Sequence, residues 1–210
     1  MYWNTVSPLL SSTLKELMRE DLFKDFVLVG GTALSLQFGH RLSVDIDLFS
    51  SKLYGTIDFQ KITKFLESKF PYCHHNNIEP VAFGKSYKVG TSFHESIKID
   101  VYYTDDFVFD LNIIDGIRMA SHEEIIAMKL EIIKHNGRKK DFWDLHYFIE
   151  QYSTQEMIDF YKKRYPYADD EFPLSQFTNF ELADSDFEPE CLLNKHWALI
   201  KLDIVDWVNT

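Results

Sequence analysis

Cysteine is scarce in this 210-residue chain, which holds only Cys73 and Cys191. Two thiols make no disulfide framework and fit a reducing compartment, so a cross-linked secreted scaffold is excluded and a cytoplasmic setting is expected. Long apolar runs are also missing. None approaches the roughly 18–20 residues of a membrane-spanning helix, so no membrane partner is expected. The opening MYWNTVSPLLSS has neither the basic start nor the apolar stretch of a signal peptide, and none is expected. Positive charge is the third shortage. The 22 Lys and Arg face 33 Asp and Glu, a formal charge of −11. The overall field therefore repels nucleic acid, and any RNA contact needs a local basic patch or bound cations. Repeats and low-complexity tracts are absent.

What is present is apolar content of 45% with abundant Phe and Tyr, enough for one sizeable domain or a domain with a helical annex. The pattern predicts a helix over 8–24, with Ser7 as N-cap and Pro8 at its first position. A β-prone run, Phe26 to Val29, ends in Gly30-Gly31, and a short helix follows. A helix over 57–70 is stopped by Pro71. Strand-like runs cover roughly 78–83, 86–93 and 97–103, with a turn at Gly84-Lys85, and a β-rich connection covers 107–120. Thereafter the chain reads as helical. Ser121…Glu124 and Ser153…Glu156 are capping boxes, opening helices to about Lys134 (closed by Gly137) and about Tyr165. A further helix begins at Lys139 or Lys140. An acidic, proline-bearing stretch over 166–190 reads as a loop with a short helix, and Cys191 to Val208 as a last helix. The shift near residue 120 predicts two parts, 1–120 and 121–210.

The chemistry concentrates between Phe26 and Ser50. In Asp45-Ile46-Asp47-Leu48, alternation along a strand puts both aspartates on one face and the apolar pair on the other. Carboxylates about 6–7 Å apart repel each other, so a cation between them is expected. Mg²⁺ or Mn²⁺ suits oxygen ligands and completes its shell with water and phosphate. Gly30 and Gly31, lacking Cβ, allow close approach of a phosphate, the next helix offers it N–H groups, and Thr32 adds a hydroxyl. Two other motifs fail. Gly84-Lys85-Ser86 is no phosphate loop, because Glu79 stands where that motif needs glycine. Cys73-His74-His75 lacks a fourth zinc ligand at usual spacing.

The ordered set Gly30-Gly31-Thr32, His40-Arg41, Ser43, Asp45-Ile46-Asp47-Leu48-Phe49 resembles the AbiEii-like nucleotidyltransferase toxins, within the DNA polymerase β-like superfamily. The resemblance implies an α+β fold: a small mixed β-sheet nucleotidyltransferase core (1–120) with flanking helices, and a helical C-terminal part (121–210) packed on it. It implies a third acid on a neighbouring strand, here Asp100 in Lys98-Ile99-Asp100-Val101. Asp45, Asp47 and Asp100 are then the expected metal ligands and catalytic acids. Arg41 and Ser43 are expected near the nucleotide, and His40 at the end of the preceding helix.

The segment from Glu124 to Tyr147 resembles the same family in its helical lysine, its basic turn and its Asp-x-x-Asp pair. These fall on Lys129, Arg138-Lys139-Lys140, and Asp141 with Asp144. A lysine on an apolar helix face needs an anion, so Lys129 is expected to meet the β- and γ-phosphates, assisted by Lys140 or Arg138. Asp141 is expected in catalysis and Asp144 in tying the helices together. Lys134, Arg138 and Lys139 are the expected RNA contacts. The implied activity is metal-dependent transfer of a nucleoside monophosphate from a nucleoside triphosphate, by a toxin of a type IV toxin–antitoxin or phage-defence system with a cognate antitoxin. The 3′ end of tRNA is the leading acceptor. A protein hydroxyl (AMPylation) and a catalytically silent binding module are the alternatives.

Overall fold

The computed structural model describes residues 1–76, 82–168 and 172–210. Helix α1 (Pro8–Arg19) opens as its sequence dictates, with the Ser7 hydroxyl accepting the Leu10 N–H at 3.1 Å and Pro8 in the first turn. It stops at Arg19 rather than near 24. Glu20 turns extended, and a 3₁₀ turn over Asp21–Phe23 delivers Phe23 to the core. Strand β1 (Val27–Val29), helix α2 (Gly30–Phe38), strand β2 (Asp45–Ser50) and helix α3 (Phe59–Lys69) follow. Asp58 caps α3 by accepting the Lys61 N–H at 3.0 Å.

Strands β3 (Tyr72–His75), β4 (Gly84–Gly90), β5 (Ser96–Tyr103), β6 (Asn112–Ile114) and β7 (Ile117–Met119) complete a mixed sheet in the order β3-β4-β5-β2-β1-β7-β6. The pairs β2/β5 and β1/β7 are parallel and the rest antiparallel. Most of the strand expected over 78–83 lies outside the described residues. The expected turn at Gly84-Lys85 is instead the start of β4. A Cβ on Gly84 would lie 2.4 Å from the Val101 carbonyl, so the glycine serves close strand approach. Strand β3 escaped the sequence reading because its polar residues show no alternation of burial.

Beyond β7 the described elements are helices: α4 (His122–Lys134), α5 (Lys139–His146), α6 (Thr154–Arg164), α7 (Glu181–Ser185), α8 (Trp197–Val208) and a 3₁₀ turn at Leu174–Thr178. At Ser153 both halves of the capping box form, through Glu156. At Ser121 only the hydroxyl half forms. The Glu124 carboxylate turns away to accept the Val108 and Phe109 N–H groups and to meet Arg164 Nε at 2.6 Å. Asn136, not Gly137, takes the left-handed conformation after α4. Gly137 is there for space, since a Cβ would press on Ile133.

Helix α8 begins at Trp197, not Cys191. The chain before it is a strap laid over residues 40–42. Leu42 N–H donates to the Glu190 carbonyl at 2.8 Å, Leu192 N–H to the His40 carbonyl at 3.0 Å, and Arg41 bridges Cys191. One apolar cluster runs from Leu14, Ile46 and Ile99 through Ile133 and Phe142 to Trp197 and Ile204. No helix among the described residues is long and apolar enough to cross a membrane.

Candidate active site

The parallel register of β2 and β5 sets Asp45 beside Lys98 and Asp47 beside Asp100. Paired residues in adjacent strands share a face, so Asp45, Asp47 and Asp100 point the same way. Ile46, Leu48, Ile99 and Val101 fill the opposite face at 0% exposure. The apolar alternation thereby forces the acids to the open side.

Asp100 is held in place. Ser86 on β4 donates to one carboxylate oxygen at 2.5 Å, and Lys98 Nζ lies 2.6 Å from the other. Asp45 has Lys140 Nζ at 3.8 Å. Asp47 has no hydrogen-bond or ion-pair partner among the described residues. Burial, with Asp100 and Asp45 adding like charge, pushes its carboxyl up from 3.8 to about 6. Among the described residues no three His, Cys, Asp or Glu side chains gather within reach of one ion. The donor set still suits a hard divalent cation: oxygen only, with an unpartnered carboxylate between two like charges. Asp45 and Asp47 carry that fit, while Asp100 is held by Ser86 and Lys98.

The two glycines are demanded by side chains of this same site. Gly30 has φ +70°, and a Cβ there would lie 2.6 Å from Asp47 Oδ2. A Cβ on Gly31 would lie 2.1 Å from Arg41 Nη2. Gly30→Ala is therefore expected to lower stability by about 1–2 kcal/mol through the left-handed backbone alone. It should also displace the Asp47 carboxylate, so transfer activity should fall further than the stability loss explains. Thermal melts and single-turnover rates on one preparation check both.

Behind the acids lies a fully buried ion cluster. Asp144, in the second turn of α5, accepts Arg41 Nε at 2.6 Å and Nη2 at 2.9 Å, and His40 Nε2 lies at 2.8 Å. Lys129 Nζ sits 2.6 Å from Asp141 and 2.8 Å from Asp144. Asp141 also accepts the Arg138 N–H and so caps α5. Burial alone would push Asp144 up, but Arg41, Lys129 and the His40 hydrogen bond hold its carboxyl well below the usual range. The two acids are balanced inside by the buried cations Arg41 and Lys129, as a buried cluster requires, and the mostly exposed Arg138 adds its Nε at 3.2 Å from Asp141.

Several expectations change here. The anion that Lys129 needs is internal: Asp141 and Asp144 satisfy it, so its ammonium is not left waiting for a phosphate. Thr32 is buried, and its hydroxyl is spent on Ser43 Oγ at 2.8 Å and on the Asp45 carbonyl. It fixes the start of β2. Gly39, with φ +71°, closes α2, while His40 reaches Asp144. The expected RNA patch is split. Lys139 is buried with its ammonium 5.5 Å from the Trp197 ring centroid, and Lys134 turns to Tyr161. Lys139 thus exchanges water for an aromatic face, while the partly buried Lys134 lies 5.6 Å from the Tyr161 centroid.

Arg138 and Lys140 do reach an open cleft of about 390 Å³, which Arg41, Ser43, Asp45 and the strap also line. Burial, with Arg138 and Lys129 adding like charge, pushes Lys140 down. It is thus the cation in the cleft with most to gain from an anion. Sequence reasoning missed the strap and Ser86. The strap carried no motif, and Ser86 was weighed only as part of a phosphate loop.

A sheet that presents paired acids on its open face beside a glycine-opened helix is the architecture of nucleotidyltransferases. The overall likeness extends to MenT4, a nucleotidyltransferase toxin from Mycobacterium tuberculosis H37Rv. That structure superposes with a TM-score of 0.61 at 14% identity, over 95% of this chain and 82% of that one. JHP933 from Helicobacter pylori gives 0.55 at 18% identity, over 97% and 92%. At such identities these likenesses show the fold. An uncharacterised protein of Aquifex aeolicus (strain VF5) is 28% identical over 173 residues, 80% of each chain. The profile of the nucleotidyl transferase AbiEii toxin family, type IV toxin–antitoxin system, matches residues 12–206. The chain belongs to that family, and its enzyme class is nucleotidyltransferase. Membership implies a nucleoside triphosphate substrate and a cognate antitoxin.

Proposed function

We propose that this protein transfers a nucleoside monophosphate from a nucleoside triphosphate to the 3′-terminal hydroxyl of tRNA, in a divalent-metal-dependent reaction in the cytoplasm. The observation that carries the reading is the register Asp47–Asp100, which sets three acids on one open face next to Gly30. Asp45, Asp47 and Asp100 would hold Mg²⁺ or Mn²⁺. When bound, the cation supplies charge that offsets the triphosphate and the pentacovalent phosphorus. Lys140 and Arg138 bind phosphate oxygens from the cleft wall. The Gly30–Gly31 backbone keeps the floor low enough for the phosphates. Asp100 takes the proton of the attacking hydroxyl. The bond formed joins that oxygen to the α-phosphorus, the bond broken joins the α-phosphorus to the β-bridging oxygen, and pyrophosphate leaves. Asp141, Asp144 and Lys129 position Arg41 and the start of α5 behind the reacting groups. As the toxin of its pair, the protein would inhibit growth, or block phage propagation, by altering the acceptor end.

The acidic strap and the charge of −11 favour one second reading, a protein hydroxyl as acceptor. Both are tested by incubating the protein with Mg²⁺, each α-labelled nucleoside triphosphate, total tRNA and a cell extract depleted of RNA. Label on tRNA that is absent with Asp45→Ala supports the proposal. Label on protein supports the second reading. No label on either, with Asp45→Ala as toxic as wild type, would leave only a binding module.

A further inference from the structure

Phe187 is 93% exposed and Val44 69% exposed, and both line the cleft that holds Asp45, Arg138 and Lys140. Single apolar residues at a surface are ordinary. Here two share one cleft, and Phe187 is not on a loose loop. Its N–H donates to Asp186 Oδ1 at 2.9 Å, and the other Asp186 oxygen accepts the Lys139 N–H at 3.3 Å. Three residues later, the Glu190 carbonyl accepts the Leu42 N–H. The strap is thus tied to the start of α5 on one side and to the approach to β2 on the other. No aromatic ring among the described residues packs on Phe187.

We infer that Phe187, which shares the cleft with Val44, is the stacking platform for the base of the incoming nucleoside triphosphate. This rests on the nucleotidyltransferase reading above and adds a binding residue that the acids and glycines do not supply. Charge orders the ligand. Asp186 and Glu188 flank Phe187 in sequence, and carboxylates repel a triphosphate, whereas a neutral base meets no such penalty. Lys140 and Arg138 take the opposite role. A cleft of about 390 Å³ accommodates a single nucleotide and not a duplex. Every base has a π-face, so an aromatic platform gives affinity without choosing among bases.

The test is calorimetric titration of wild type, Phe187→Ala and Phe187→Trp in Mg²⁺, with each nucleoside triphosphate and with inorganic tripolyphosphate as the base-free probe. Phe187→Ala is expected to weaken nucleotide binding about tenfold while tripolyphosphate binds as to wild type, and Phe187→Trp should bind nucleotides at least as well as wild type. Unchanged nucleotide affinity in Phe187→Ala overturns the platform. So does an equal loss for tripolyphosphate, which would mean that the strap had merely collapsed. Wild type that binds no nucleotide at all sinks the parent reading as well, so the two failures are distinct.

Discussion

Asp47→Asn should abolish nucleotidyl transfer, on the order of 10³-fold or more, while making the metal-free protein more stable. The two effects have one cause. In the folded chain Asp47 is half-buried, lies beside Asp45 and Asp100, and has its carboxyl pushed up to about 6 by burial and then by those charges. An acid whose folded value is raised binds its proton more tightly in the folded state. Its ionisation therefore costs stability once pH rises above the unfolded value. The cost grows from about pH 4 to about pH 6 and is fully present at pH 7, where it amounts to at most about 3 kcal/mol, less what solvent screening removes. Asparagine keeps the shape and removes the charge. Thermal melts in EDTA should show Asp47→Asn above wild type at pH 7 and level with it at pH 4. A variant no more stable than wild type at pH 7 would contradict the electrostatic account, whatever its activity.

The second large effect separates the two lysines that resemblance places near phosphate. Lys129→Met leaves the fully buried Asp141 and Asp144 short of one cation. Breaking such a cluster typically costs about 3–5 kcal/mol, which for a chain of this length is on the order of 10 °C in melting temperature. Lys140→Met removes a half-exposed side chain with a single weak partner 3.8 Å away. It should leave the melt nearly unchanged and raise the KM for nucleoside triphosphate. If Lys129→Met melts like wild type and only its KM moves, then Lys129 contacts substrate as the sequence suggested, and the internal pairing is incidental.

The acid pair was legible because alternation along β2 needs no tertiary knowledge. Asp45 and Asp47 share a face in any strand, and Ile46 and Leu48 choose which face is inward. Helix starts at Ser7 and Ser153 were legible for a similar reason, since a cap is a contact three residues long. Half of the Ser121 box was misread because Arg164, forty residues away, competes for the Glu124 carboxylate and wins. Gly30 and Gly31 stood out in the sequence, but the side chains pressing on them, Asp47 and Arg41, could not be seen before the strands paired.

By itself the sequence determined the family, the order of elements around the glycines and acids, and the inward and outward faces of β2 and β5. The family came from the resemblance of its motifs, whereas the order and the faces follow from local periodicity and from spacing along one chain. Tertiary structure decided which charges spend themselves on each other. It gave Lys129 to Asp141 and Asp144, buried Lys139 against Trp197, and left Lys140 and Phe187 facing the cleft. Pairing of that kind depends on distances across elements far apart in sequence, where a few ångströms and the loss of water set the outcome.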